Sequence, residues 1–154
     1  MYIIYLILFS VMAISAILSA NYAQAYSNKD KKSKHSRKTL IFLHDFFDKL
    51  SYSTMVIIVF ITLLFDNVSE TVLYIVLTLV LIQILVVISI MVIAYRDRSV
   101  LEDKNENNKN YRIYRILNLA NAILLVIISM IGIPAIIMHI YCLLYTSPSP
   151  RDRG

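Results

Sequence analysis

The sequence predicts an all-α membrane protein in which four transmembrane helices form an up-down bundle with short interfacial helical extensions. Composition is the first reason. Of the 154 residues, 58% are hydrophobic and only 16% are charged, and the mean hydropathy is +0.68. This balance lies outside the range of soluble globular domains. The second reason is the stretch from Thr71 to Tyr95, which holds twenty-five consecutive uncharged residues.

The stretch from Thr71 to Tyr95 is the central predicted span. A bilayer core of about 30 Å needs roughly 20 apolar residues in a helix, which alone satisfies its own backbone hydrogen bonds in lipid. Its single strongly polar side chain is Gln83, at the midpoint. Three other apolar stretches complete a single four-helix domain, residues 1–141. The predicted spans are about 2–20, 47–65, 71–95 and 119–141, and the predicted loops are 21–46 and 96–118.

The second and fourth predicted spans need adjustment at their ends. Residues 51–65 would cover only about 22 Å, so the second span also takes residues from 47 onward, with Lys49 extending its ammonium group to the interface. The preceding residues 39–50 have an apolar face typical of an in-plane helix at the membrane surface. The last helix, from about Tyr111 to Tyr141, has an interfacial start before its apolar stretch, and Gly132 and Pro134 predict a kink.

The first predicted span has an alternative interpretation. Residues 1–25 could be a cleaved signal peptide, because Ala23, Gln24 and Ala25 have the small-x-small form that signal peptidases favour. No basic residue precedes the apolar stretch, however, and this favours a retained span. Ala13, Ala16 and Ala20 follow one side of the helix, where small side chains allow another helix to approach closely.

The placement of basic residues predicts the orientation. Thirteen Lys and Arg residues precede residue 142: seven lie between the first span and the apolar stretch that begins at residue 51, Lys49 included, and six lie between the third and fourth spans. The N-terminus and the turn at 66–70 have no Lys or Arg. The positive-inside rule therefore predicts that both basic loops are cytoplasmic and that both termini lie outside a plasma or cytoplasmic membrane.

A few polar side chains within the spans are candidate contact residues. Ser129 of the fourth span and Ser10 or Ser15 of the first have a depth similar to that of Gln83. We expect an interhelical hydrogen bond among them, and contact with a substrate or pore is the alternative. Asn118 and Asn121 share a helix face and are candidate partner-facing residues, unless they simply form the wetted end of the helix.

Sequence patterns for chemistry are missing from the chain. The central portions of the spans hold no Asp, Glu, Lys or Arg, which argues against a proton relay or ion-coupled transport within this chain alone. We also find no nucleophile and base pair, glycine-rich phosphate loop or paired carboxylates. The sequence therefore predicts no catalytic, cofactor-binding or metal-binding residue, and no cofactor. Expected partners are the lipid bilayer, anionic lipid near the basic loops, and a membrane protein or second copy, but no nucleic acid.

The last residues differ in character from the rest. Residues 142–152, CLLYTSPSPRD, resemble, residue for residue, the translation of a transposase-type sequencing-library adapter. We therefore expect 142–154 to be a non-native tail, which leaves the true C-terminus open; a native Ser/Pro tail is the alternative.

Three functional hypotheses follow. The first is a small, non-enzymatic accessory, scaffold or immunity-type subunit. The second is a transporter or channel component, which could be a fragment of a longer membrane protein. The third is a membrane enzyme whose catalytic residues lie beyond residue 141. Because the first needs no chemistry that this sequence lacks, the sequence favours it.

Overall fold

A computed structural model of the chain describes residues 2–28, 34–65, 68–101 and 106–146. The described residues form four α-helices and no strand, which confirms the all-α prediction. The helices are α1 (Tyr2–Asn28), α2 (Lys34–Phe65), α3 (Glu70–Arg96) and α4 (Lys109–Thr146), and a 3₁₀ turn (Arg98–Leu101) follows α3. By length and composition, each α-helix could cross a membrane.

The helices extend well beyond the apolar stretches from which they were predicted. Most of the predicted loop 21–46 is helical, since α1 continues to Asn28 and α2 begins at Lys34. The expected in-plane helix 39–50 is instead the first part of α2. Contacts between the extensions explain this difference, because the Tyr22 and Phe47 rings stack with centroids 5.7 Å apart. Polar residues can thus remain helical where a neighbouring helix supports them.

The loop predicted at 96–118 is also largely helical in its described part. It contains the 3₁₀ turn, and α4 begins at Lys109, close to the expected interfacial start of the last helix near Tyr111. At its other end α4 continues through Pro134 to Thr146 and so includes the first residues of the suspected tail. Residues 147–154 of that tail lie outside the described residues.

Hydrogen bonds between helices show how the chain is arranged. Tyr5 bonds Thr62, and Ser19 bonds His44, so α1 and α2 are antiparallel. Other interhelical contacts, described below, make α3 antiparallel to both α2 and α4. The central element is α2, which contacts all three other helices, whereas among the described residues α1 packs against α2 alone. The arrangement is therefore a three-helix core, α2 to α4, with α1 attached at one side.

An apolar cluster holds the three-helix core together. Its buried members come from all three helices: Val56, Val59, Leu63, Val76, Val80 and Ile128. Close approach of α4 to α2 depends on Gly132, because a Cβ atom at this position would collide with the Val59 side chain. In a membrane, where lipid is as apolar as these side chains, tight packing rather than removal from water would favour this association.

The ends of α3 are marked by local polar contacts. Ser69 caps its start, where the Ser69 hydroxyl accepts a hydrogen bond from the backbone N–H of Val72 at 3.4 Å. Asp97 ends it and organises the turn into α4. The Asp97 carboxylate accepts hydrogen bonds from the Ser99 hydroxyl and from the Asn108 and Asn110 amides. This turn orients α4 back along α3 and so brings the polar side chains of the two helices together.

Candidate functional site

The most buried polar side chain in the described structure is Gln83, at the midpoint of α3. It has no exposed surface and faces the junction of α2, α3 and α4. Its amide nitrogen donates hydrogen bonds to Asn121 Oδ1 on α4, at 3.1 Å, and to Ser53 Oγ on α2, at 3.3 Å. Since Asn121 is also buried, this group of three residues, the Gln83 junction, joins the three core helices through polar side chains.

The Gln83 junction leaves one polar atom unsatisfied. Gln83 Oε1 is buried and has no hydrogen-bond partner in the described structure. Exchanging the oxygen and nitrogen positions would not help, because the exchange would leave the NH₂ group without an acceptor in the same place. A buried polar group of this kind costs free energy, so it indicates either strain or a site for a ligand or water molecule.

A charged group lies on the same side of α2, toward its N-terminal end. The Lys49 ammonium forms an ion pair with Asp45 at 3.0 Å, and Lys49 is only 7% exposed. The other Asp45 oxygen accepts a hydrogen bond from the Tyr114 hydroxyl of α4 at 3.2 Å. Pairing and hydrogen bonding offset the cost of removing these charges from water. The three residues, the Asp45 group, therefore provide a second polar link between α2 and α4.

The Asp45 group lies a short distance along α2 from the Gln83 junction. Lys49 and Asp45 are four and eight residues from Ser53, hence about 6 and 12 Å along the helix. If a bilayer were centred on Gln83, both side chains would fall within its hydrocarbon half-thickness of about 15 Å. Lys49, which the sequence predicted to extend its ammonium group to the interface, is buried and pairs with Asp45 of the same helix. Ionisable side chains inside the hydrocarbon core of a bilayer are costly, and they usually mark functional sites.

The partners of Gln83 differ from those expected from sequence. Ser10 and Ser15 belong to α1, which does not reach α3: Ser10 bonds the Leu6 carbonyl of its own helix, and Ser15 is buried toward α2. Ser129 instead lines a groove on the outer side of α2 and α4. Asn121, expected to face a partner, is buried against Gln83.

Asn118, the other candidate partner-facing residue, donates a hydrogen bond to the Tyr114 carbonyl within α4, at 3.0 Å.

A different sequence pattern predicts the polar contacts that the structure shows. Asp45, Lys49 and Ser53 are spaced by four residues, and Tyr114 and Asn121 by seven, so that each set shares one helix face.

The seam between α1 and α2 is a separate set of polar contacts. Ser19 Oγ and His44 Nδ1 lie 2.9 Å apart, and Tyr5 donates to Thr62 at 3.1 Å. Ser51 donates a longer hydrogen bond to the Met12 carbonyl at 3.5 Å. These contacts run along the whole length of the pair and attach α1 to α2.

The chemistry available at these sites is hydrogen bonding and charge pairing. Within the described residues, no cluster of three His, Cys, Asp or Glu side chains could hold a metal ion. Compared with known proteins, the chain matches no protein-family model, no curated protein and no solved structure. The functional argument therefore rests on the geometry of the helices.

Proposed function

We propose that the chain is an integral membrane protein of the plasma or cytoplasmic membrane, with four spans in an up-down arrangement. Both termini lie outside, and the basic connections lie in the cytoplasm. It acts as a non-enzymatic accessory, scaffold or immunity-type subunit that works through helix contacts with a membrane-protein partner or a second copy. Four helices of spanning length and the clustering of basic residues support the first part of this proposal.

The attachment of α1 at one side of the three-helix core supports the proposed role in binding a partner. Apart from Gln83 Oε1, the polar groups of the Gln83 junction and the Asp45 group are engaged in contacts among α2, α3 and α4, whereas α1 contacts only α2 in the described structure. Its remaining surface is apolar and open, and Ala13, Ala16 and Ala20 are exposed along it. Small side chains allow the backbone of another helix to approach closely. The open side of α1 is thus suited to a neighbouring membrane helix.

Cross-linking in native membranes tests this role. The only cysteine, Cys142, is first replaced by alanine. A cysteine is then placed on the open side of α1, as Ala16→Cys, or on an exposed position of α3, as Ser89→Cys. After oxidation, we expect Ala16→Cys to form one discrete cross-linked product, with a second copy or one partner. Equal cross-linking at both positions, or none at either, would contradict the proposal.

Orientation is tested with the same cysteine-free background. Tyr2→Cys should react with a membrane-impermeant maleimide in intact cells, whereas Lys109→Cys should react only after the membrane is opened. Both positions are exposed at helix ends. The reverse pattern would show that the basic connections lie outside and would overturn the proposed topology.

A transporter or channel component is the second candidate, favoured by the unsatisfied Gln83 oxygen. This atom and the Asp45 group form a series of polar groups extending from mid-depth toward the basic end of the helices. If they line a path, Gln83→Leu should abolish ion or solute flux into proteoliposomes while Ser129→Ala leaves it unchanged. This candidate function would be rejected if the unaltered protein showed no flux, or if the Gln83→Leu variant still showed flux.

A further inference from the structure

We infer that the groove between α2 and α3 at their basic end is a binding site for an anionic phospholipid, with an acyl chain in the groove and the phosphate group at Arg96. This inference rests on the proposed membrane insertion but adds a specific ligand class and position. The groove has a volume of about 520 Å³. Its walls include Phe42, Leu43 and Phe46 of α2 and Ile88, Met91 and Tyr95 of α3.

The first argument is the chemistry of the walls. Apart from Arg96 and the Tyr95 hydroxyl, every residue that lines the groove is apolar. Ile88 and Tyr95 are 53% and 67% exposed, so the groove is open at the surface of the helix pair. An open apolar groove on the side of membrane helices accepts a flexible hydrocarbon chain, which follows its contour at little cost.

The second argument is that positive charge lies at only one end of the groove. Arg96 is exposed, at the last turn of α3. Arg98 lies beside the same end: its guanidinium is 5.7 Å from the centroid of the Phe42 ring and donates to Thr39 Oγ1 at 2.9 Å. The nearby Asp97 carboxylate is engaged by Ser99, Asn108 and Asn110 instead. The mouth therefore presents two guanidinium groups, and guanidinium matches the geometry of phosphate oxygens.

The third argument is depth. Ile88 is five residues from Gln83 and Arg96 thirteen, which are about 8 and 20 Å along α3. With the bilayer centred on Gln83, the wall from Ile88 to Met91 lies within the hydrocarbon half-thickness of about 15 Å, while Tyr95 lies at its edge and Arg96 reaches the headgroup level. A second copy of a spanning helix would instead need an apolar face across the whole membrane. The length of the groove and its single charged end thus match one leaflet of lipid.

The experiment measures lipid retention by the full-length protein. Protein purified in mild detergent is mixed with equal amounts of phosphatidylglycerol and phosphatidylcholine, and the bound lipids are counted by native mass spectrometry. We expect the unaltered protein to retain more phosphatidylglycerol than phosphatidylcholine. Arg96→Gln should reduce this preference about fivefold, the effect of about one basic residue at a membrane surface. Lys109→Gln removes an exposed basic residue outside the groove and should leave the preference unchanged.

A second pair of variants tests the groove itself. Ile88→Trp fills it and should lower the retention of both lipids, whereas Ile82→Trp, at an exposed α3 position outside the groove, should not. Equal effects of Arg96→Gln and Lys109→Gln would overturn the inference, because they would indicate non-specific charge. The inference would also be overturned if the unaltered protein were a dimer and Ile88→Trp made it a monomer without changing the amount of bound lipid. That result would identify a second copy of the chain as the occupant of the groove.

Membrane insertion is checked separately by resistance to carbonate extraction. Protein released by carbonate would contradict the proposed function. Protein that resists carbonate but shows no preference for phosphatidylglycerol would contradict only the lipid site.

Discussion

At the scale of single residues, Gln83 places one more polar atom at the helix junction than its neighbours satisfy. Its nitrogen bonds Asn121 and Ser53, while its oxygen is buried without a partner. Interhelical hydrogen bonds in membranes contribute only about 0.6 kcal/mol on average. The junction therefore adds specificity of helix position more than stability, because any other rotation of α4 would leave Asn121 in lipid or apolar packing.

The first prediction concerns the Gln83 and Asn121 pair. Asn121→Leu should lower the free energy of unfolding by about 1 kcal/mol, because it removes the acceptor of one Gln83 hydrogen bond. The double variant Gln83→Leu with Asn121→Leu should recover most of this loss, since replacing both polar partners is close to neutral. Unfolding in mixed detergent and SDS micelles measures both. Ser129→Ala is the control, with no expected change. A double variant as unstable as the sum of its singles would contradict this account.

The sequence indicated Gln83 as an intramembrane contact but suggested other partners for it. The reason is physical. Helix α4 is apolar on nearly all sides, so its hydrophobic pattern does not show which face points inward. Only its few polar residues carry that information, and Asn121 was as consistent with a wetted or partner-facing surface as with a buried one. The rotation of α4 is set by packing that the sequence pattern does not contain.

At the scale of the elements, the approach of α4 to α2 depends on Gly132. Gly132→Ala should lower the free energy of unfolding by about 1 to 3 kcal/mol, because the added methyl group collides with Val59 and separates the helices. Val59→Ala in the same chain should restore part of the loss by making room for the methyl group. The same micelle unfolding measures these effects.

Ala122→Val is the matched control for Gly132→Ala. It adds bulk at an exposed position of the same helix and should have little effect. If Gly132→Ala and Ala122→Val were equally mild, α4 would not be in close contact with α2 at Val59.

The turn between α3 and α4 gives a prediction about pH. Hydrogen bonds donated by Ser99 and Asn110 lower the pKa of Asp97 below its ordinary value of 3.8. Because the folded pKa is the lower one, the contribution to stability is present above the ordinary value and is lost as the pH falls through the lowered value. Unfolding measured from about pH 6 to pH 3 should show a smaller loss for Asp97→Asn than for the unaltered chain. The exposed Glu106→Gln serves as control, and identical pH profiles for all three proteins would argue against this role of Asp97.

The number of helices and the approximate position of each could be predicted from uncharged stretches alone. Their ends could not. Residues 21–28 and 34–38 are polar enough to suggest a loop, and 39–50 suggested a separate in-plane helix, yet all of them belong to α1 and α2. The start of the last helix, expected near Tyr111 and observed at Lys109, is the exception. Contacts between distant residues, such as the stacking of Tyr22 on Phe47, stabilise these parts of α1 and α2, and a local pattern does not record such contacts.

At the scale of the whole molecule, the four helices are not equivalent. The core helices α2, α3 and α4 share an apolar cluster and two polar groups, whereas α1 is held by its seam with α2. The sequence predicted an up-down bundle of four helices but not which helices contact each other. The structure gives α2 three neighbours and α1 one, in the described part of the chain. Local opening should follow this difference, because α1 can separate by losing its seam with α2 alone, whereas each core helix must break contacts with at least two other helices.

The last prediction is that α1 separates before the core unfolds. In the Cys142→Ala background, Ser15→Cys reports on the seam and Ala94→Cys on the core, because Ser15 and Ala94 are 3% and 0% exposed. As SDS is added, a maleimide should react with Ser15→Cys at a lower SDS fraction than with Ala94→Cys. Both substitutions are small, so they disturb packing little, and labelling of each fully unfolded variant normalises the rates. Simultaneous labelling would show that the four helices unfold as one unit, which would also remove the basis for an α1 that is free to contact a partner.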